Sequence, residues 1–354
     1  MAEPSALLLD ALKQVLERRE TLSRPMSRAL LDAVLEGGVA GNEVRVAALL
    51  GALAARGETT EELAGFVESL RAHATQIPLT EEERERLVDS CGTGGDLSGT
   101  FNISTAAGLV AAAAGAWVAK HGNRAVTSAC GSADVLEALG IPVDHTPESA
   151  AEALRRHGFA FLPAPALQPA MKAVMPIRRA LGVRTAFNIL GPMSNPAGAR
   201  SQVMGVYAEP LVQIVADTLA ELNTRHALVV HGEYWDAEGE LRGMDEISVS
   251  GGSYVTEVKG HQVTQSYVYP ERFDLKPAPI AQLAGGDATQ NAAILRAIFA
   301  GETGARRNVV VMNAGAVLLT AGLAETMRDG VGLAQQTIDS GAVTRLVADL
   351  ARRT

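Results

Sequence analysis

DSCGTGGDLSGTFNISTAAGLVAAAAGAWVAKHGNRAVTSACGS, residues 89–132, sets two glycine-rich loops around one long apolar segment. The first loop carries Gly92, Gly94, Gly95, Asp96, Ser98, Gly99, Thr100, Asn102, Ser104 and Thr105. The second carries Lys120, His121, Gly122, Asn123, Arg124, Ser128, Gly131 and Ser132. Glycine has no Cβ, so the backbone can turn tightly and bring its N–H groups close to an anion. Arg86–Asp89 predicts a short strand feeding the first loop, and Ser104-Thr105 predicts a capped helix start ahead of Ala106–Val110. Strand, glycine loop and helix N-terminus in that order make an anion site, because unpaired N–H groups and the helix dipole face the ligand. Lys120 and Arg124 add full positive charge, and the Ser, Thr and Asn side chains add neutral hydrogen bonds. A flexible linker would not need Asp96, Asn102, Lys120, His121 and Asn123 at the mouths of buried segments. Neither G-x-G-x-x-G nor G-x-x-x-x-G-K-[ST] is present, so the phosphate cradle is not of the two common nucleotide-binding kinds.

Outward from this stretch, the chain alternates short apolar strands with helices. Trp117–Ala119, Phe159–Leu162, Val203–Tyr207 and Ala227–Val230 read as strands, with helices at Ser132–Leu139, Pro147–Arg156 and Leu211–Leu222. That alternation signals a mostly parallel α/β sheet, in which ligands gather at the carboxyl ends of strands. Residues 241–258 suggest a polar sheet region, and further helices are expected at 287–300, 309–321, 331–340 and 342–350. Residues 4–76 are instead helical throughout, with apolar residues at helical spacing and a capping-box signal at Thr59-x-x-Glu62. A helix-turn-helix DNA reader would need a basic recognition helix, which is absent. The expected fold class is α/β: a small helical domain over 1–77, a boundary at Pro78, and a large domain over 78–354. Six prolines between Pro163 and Pro196 chop residues 163–198 into short pieces able to pack back on the small domain.

Composition narrows the function. A chain of 354 residues, 47% apolar but only 4% aromatic, builds its core from Ala, Leu and Val. The net charge of −9 argues against non-specific nucleic-acid binding, while leaving room for a locally basic pocket. Cys91 and Cys130 form no metal or redox motif, although their loops could bring them close. The seven histidines show no zinc-binding spacing. Met1–Ser5 does not read as a signal peptide, and the apolar run 106–119 is too short and too rich in Ala and Gly to span a membrane. The expectation is a cytoplasmic protein with no membrane partner.

Gly92-Thr93-Gly94-Gly95-Asp96, Thr100-Phe101-Asn102-Ile103-Ser104-Thr105 and Lys120-His121-Gly122-Asn123-Arg124 occur here in order. They are followed by Arg178-Arg179-Ala180-Leu181-Gly182, Thr185–Pro192 and Gly243-Met244-Asp245-Glu246. This ordered set closely resembles the anthranilate phosphoribosyltransferases, over essentially the whole chain. The resemblance implies a nucleoside phosphorylase/phosphoribosyltransferase-like fold, with 163–198 packing on the helical domain. The implied reaction moves the phosphoribosyl group of 5-phosphoribosyl 1-pyrophosphate to the amine of anthranilate, releasing pyrophosphate, in tryptophan biosynthesis. It also implies Mg2+ as cofactor and a homodimer formed through the helical domain.

Carried over to this sequence, the phosphoribosyl pyrophosphate site would comprise Gly92, Gly95, Asp96, Thr100, Asn102, Ser104, Thr105, Lys120, Asn123, Ser128 and Ser132. Anthranilate would meet Gly92, Asn123 and Arg178, whose guanidinium forks onto a carboxylate, with Arg179 and Arg184 as competitors. Ser104, Asp245 and Glu246 would hold metal, and Lys120 and His121 would serve the chemistry, His121 either orienting the amine, accepting its proton or acting structurally. A neutral aromatic amine needs no strong base before it attacks. Two other functions remain open on the residues: a pyrimidine-nucleoside phosphorylase, and a non-catalytic nucleic-acid-binding relative.

Overall fold

The computed structural model describes residues 3–125 and 129–352. An eight-stranded sheet runs β3-β2-β1-β4-β5-β7-β8, with β6 paired to β5. The strands are β1 (Leu87–Gly92), β2 (Trp117–Gly122), β3 (Phe159–Pro163), β4 (Ser201–Gly205), β5 (His226–Trp235), β6 (Leu241–Met244), β7 (Ser253–Lys259) and β8 (Gln262–Val268). The first five are parallel neighbours, whereas β6, β7 and β8 pair antiparallel. Chain order reverses between β1 and β4, and that switch point opens a crevice at the carboxyl ends of both strands. There Gly92 pairs with Gly205.

Glycine is required at both ends of that pair. A Cβ on Gly92 would strike the Asp245 carboxylate, and one on Gly205 would strike the Asp245 backbone. The two glycines therefore let the segment after β6 lie directly across the strand tips.

The helical region contains Pro4–Leu12, Arg24–Ala33, Glu43–Arg56 and Thr60–His73. Thr59 and Glu62 form the expected capping box at the last of these. Leu8, Leu30, Leu49, Leu53, Leu63 and Val67 bury their faces together, and Val174, Ile177, Phe187 and Leu190 from the proline-rich segment enter the same cluster. So do Val212, Val215 and Leu219 of helix Leu211–Glu221, with Met204, Val229 and Val258 of the sheet. Apolar side chains thus run without a break from the bundle to one face of the sheet. The other face is covered by Ile103–Ala113 and Ala305–Thr320, whose small residues allow close packing.

Two expectations at element edges are corrected. The helix after the first loop starts at Ile103 with Asn102 in the N-cap position, not at a Ser104-Thr105 cap. Its free Ser104 N–H is met by the Glu246 carboxylate at 2.9 Å, so no local side chain is needed there. The polar edge strand β8 was not anticipated, because Gln262–Val268 is largely exposed and shows no apolar alternation.

Candidate active site

Three carboxylates and one ammonium converge beneath the loops at the switch point. Gly94 N–H donates to Asp245 Oδ2 at 2.6 Å, Ser104 N–H to Glu246 Oε1 at 2.9 Å, and Asp245 N–H to Asp96 Oδ2 at 3.3 Å. The N–H groups that make the loop an anion site therefore hold the acidic pair in place. Asn313, buried in Ala305–Thr320, fixes the following backbone by accepting from Ile247 N–H and donating to Ile247 O. Burial is the main reason the Asp245 carboxyl titrates well above its ordinary range, and the charge of Asp96 adds to it. Glu246 is raised by burial and then by Asp245.

Among the described residues, Lys120 is the positive charge inserted among these groups, only 2% exposed near the end of β2. Its ammonium donates to the Ser90 carbonyl and, at 3.3 Å, to Ser104 Oγ. Below it lies Asp89, wholly buried, accepting from His121 N–H and from Asn195 Nδ2 at 3.2 and 2.8 Å. Burial raises the Asp89 carboxyl and Lys120 partly offsets the rise. One lysine thus faces an excess of acid, the condition in which a hard divalent cation is welcome. Among the described residues no group of three or more His, Cys, Asp or Glu is arranged to hold a metal. Two carboxylates and a hydroxyl nonetheless suit Mg2+, which binds one or two carboxylates and completes its shell with substrate phosphate and water.

His121 is buried and directs one ring nitrogen at the Gly191 carbonyl, while Nε2 has no partner. Burial pushes its pKa down to about 4. The hydrogen-bond network makes it the neutral Nδ1–H tautomer, with Nε2 an unused acceptor.

The remaining expected residues fall as follows. Thr100 bridges to Ala284, and Thr105 is buried in the first helical turn. Asn102 donates to the Cys130 carbonyl, which joins the two loops. The Asn123 carbonyl accepts from Ser132 Oγ at 3.2 Å. Ser128 lies outside the described residues. Arg124 does not lend free charge to the site, since its guanidinium is paired with Asp134 and Glu137. Cys91 and Cys130 are both unbridged, and Cys91 Sγ points to the Pro192 carbonyl.

The three arginines separate clearly. Arg184 donates to the Gly95 carbonyl and stacks 4.3 Å from the Tyr207 ring centroid. Arg178 is half-buried against Phe187, with burial lowering its pKa, and has no carboxylate partner among the described residues. Arg179 is exposed. A half-desolvated guanidinium without an anion is the best placed to accept one.

Gly205, Asn195, Asn291 and Asn313 were not anticipated. Asn313 left a signal, since it interrupts the apolar run Val309–Leu319 and a buried amide must find partners, whereas Asn291 follows the polar Thr289-Gln290 and left none.

Comparison with known proteins agrees with this geometry. Residues 9–74 match the helical bundle domain of the glycosyl transferase family, and residues 84–344 match its a/b domain. An anthranilate phosphoribosyltransferase of Anaeromyxobacter sp. is 45% identical over 97% of this chain and 98% of its own. The chain belongs to the anthranilate phosphoribosyltransferase family. A family member from Pelotomaculum thermopropionicum is also 45% identical, over 96% of this chain and 95% of its own. The solved enzyme from Thermus thermophilus superposes with a TM-score of 0.87 at 39% identity, covering 98% of both chains. The Saccharomyces cerevisiae enzyme in complex with PRPP and Mg gives 0.83 at 25% identity, again over 98% of both. No helix among the described residues is long and apolar enough to cross a membrane.

Proposed function

We propose that this chain transfers the phosphoribosyl group of 5-phosphoribosyl 1-pyrophosphate to the amine of anthranilate, giving N-(5-phosphoribosyl)anthranilate and pyrophosphate in tryptophan biosynthesis. The observation that carries this reading is the convergence at one switch point of the glycine-loop N–H groups, Lys120 and the buried Asp245–Glu246 pair. The first loop's amides other than those of Gly94 and Ser104, which hold the acidic pair, take the phosphate oxygens, assisted by Thr100, Asn123 and Ser132, and Ser128 is expected to join them. Asp245, Glu246 and Ser104 would hold Mg2+, which when bound supplies charge neutralisation for the departing pyrophosphate. Lys120 offsets part of the rise that burial imposes on Glu246 and Asp89, without cancelling it.

Arg178 receives the anthranilate carboxylate and so aligns the amine with the ribose. Because His121 is neutral at ordinary pH and binds a second proton weakly, its Nε2 orients the amine by accepting a hydrogen bond rather than storing the proton. The working unit is divided as a helical domain over 1–77, with 163–198 packed on it, and a substrate domain over 78–354. Exposed Leu9, Leu16 and Val44 on the helical unit support a homodimer through that region, which light scattering at assay concentration would test.

The deciding experiment follows loss of anthranilate fluorescence with phosphoribosyl pyrophosphate, with and without magnesium. Magnesium-dependent consumption is expected, and its absence in well-folded protein rejects the reading. Phosphorolysis of thymidine or uridine in its place would select the nucleoside phosphorylase alternative.

A further inference from the structure

We propose that Asn291 is a positioning residue that ties the two glycine loops into one phosphoribosyl pyrophosphate site. This rests on the function proposed above. Asn291 lies on helix Ala288–Phe299, 2% exposed and among apolar side chains. Its Oδ1 accepts from Gly286 N–H at 2.8 Å, and its Nδ2 donates to Asn102 Oδ1 at 2.9 Å. Asn102 Nδ2 in turn donates to the Cys130 carbonyl at 3.1 Å. The relay therefore runs from the segment before the helix, through the first loop, to the second.

Side-chain amides are often ambiguous in orientation, but here both ends are fixed. A backbone N–H only donates and a carbonyl only accepts, so each intervening amide has one orientation that satisfies its neighbours. The Cys130 sulfur also takes a hydrogen bond from the Asn291 side chain, which places both Asn291 N–H groups on loop partners.

The same segment grips the first loop a second way. Gly285 N–H donates to Gly99 O at 2.9 Å, Phe101 N–H donates to Leu283 O at 3.2 Å, and Thr100 bridges to Ala284. Asn291 fixes the end of that segment through Gly286. Two positions of the second loop, Ala125 and Gly131, are held separately, their N–H groups both donating to Asp134. Removing the Asn291 donor would free Asn102 to turn, and so unlink the two loops without substituting any residue that meets the ligand.

Asn291→Asp tests this with almost no change of shape. The carboxylate still accepts from Gly286 but cannot donate, so Asn102 must either lose a partner or set its own oxygen against the Cys130 carbonyl. Pyrophosphate with magnesium serves as the binding probe, read by calorimetry, alongside steady-state kinetics. The expected result is a rise of about ten-fold or more in the pyrophosphate Kd and the phosphoribosyl pyrophosphate KM, with the anthranilate KM within about two-fold. Unchanged pyrophosphate binding, or a parallel rise in both KM values, overturns the proposal. Asn291→Ser is read in the same way if the aspartate variant does not fold, and failure of both to fold assigns Asn291 to the fold alone and overturns it too. Wild-type protein that binds pyrophosphate yet leaves anthranilate unconsumed would defeat the proposed reaction, while the variants would still report on the loop linkage.

Discussion

Glu62 in the helical bundle and the Asp245–Glu246 pair at the switch point are both buried acids, and they are treated in opposite ways. Glu62, fully buried, accepts from Leu22 N–H and Thr59 N–H at 2.8 and 2.9 Å and is paired with Arg56. Its charge is answered locally and completely. Asp245 accepts from Gly94 N–H and Glu246 from Ser104 N–H, both sit beside a third carboxylate at Asp96, and the Lys120 ammonium acts on Glu246. A closed acid stabilises its surroundings, whereas an under-compensated one stores affinity for a cation. The same residue type is structural in one region and functional in the other because of the number of positive groups around it.

The sharpest way to break this comparison is to neutralise each acid in turn. Asp245→Asn with Glu246→Gln should lower magnesium-dependent turnover by about 1,000-fold or more, in line with losing a charge-stabilising site. Yet the metal-free protein should melt higher. Because both carboxyls are raised in the fold, the folded state holds extra protons above the ordinary carboxylate range and loses stability as pH climbs through that window. The gain in melting temperature should therefore be largest at alkaline pH. Glu62→Gln should do the reverse, costing about 2–4 kcal/mol by stranding Arg56, with activity per folded molecule kept. Scanning calorimetry and turnover on both proteins decide it, and a destabilised double amide would undo the contrast.

Arg178→Gln should raise the anthranilate KM by about 30-fold or more, the scale of a lost charge-assisted fork, with the phosphoribosyl pyrophosphate KM little changed. Arg184→Gln, which loses its Gly95 contact, should move the second constant instead.

His121→Asn should cost about ten-fold in kcat if the ring only orients the amine. It should also flatten the acid limb of stability. Burial lowers this histidine from its ordinary 6.5 to about 4, so between those values the unfolded chain holds a proton that the folded chain does not. Stability rises with pH across that window, and melting curves of the variant should lose the slope.

The smallest effect is expected at Arg124. Its exposed guanidinium already faces Asp134 and Glu137, so Arg124→Ala should leave the melting temperature nearly unchanged and shift the phosphoribosyl pyrophosphate KM by less than about three-fold. A larger kinetic loss would return it to the site.

Much of the fold was legible because periodicity and glycine placement are local signals. The Thr59–Glu62 capping box, the strand leading into Gly92 and the helix after Gly131 lie where the sequence places them. β8 was not legible, since an exposed edge strand needs no apolar alternation. Residues of the site named for their charge divided in the structure: Lys120 was drawn inside it and Arg124 onto surface acids. Sequence cannot show that choice, because it depends on which carboxylates other elements bring near.

By itself, then, the order of residues determined the two glycine loops, the helical and α/β regions, and the family to which the motifs point. Tertiary structure alone decided that Gly205 must yield space to Asp245, that Asn313 fixes the acidic segment, and that Asn291 links the loops. Those partners lie from 40 to nearly 190 positions apart along the chain. Backbone turns and helix periods are encoded by neighbours, but a buried charge or amide is satisfied only by whatever the completed fold places within about 3 Å of it.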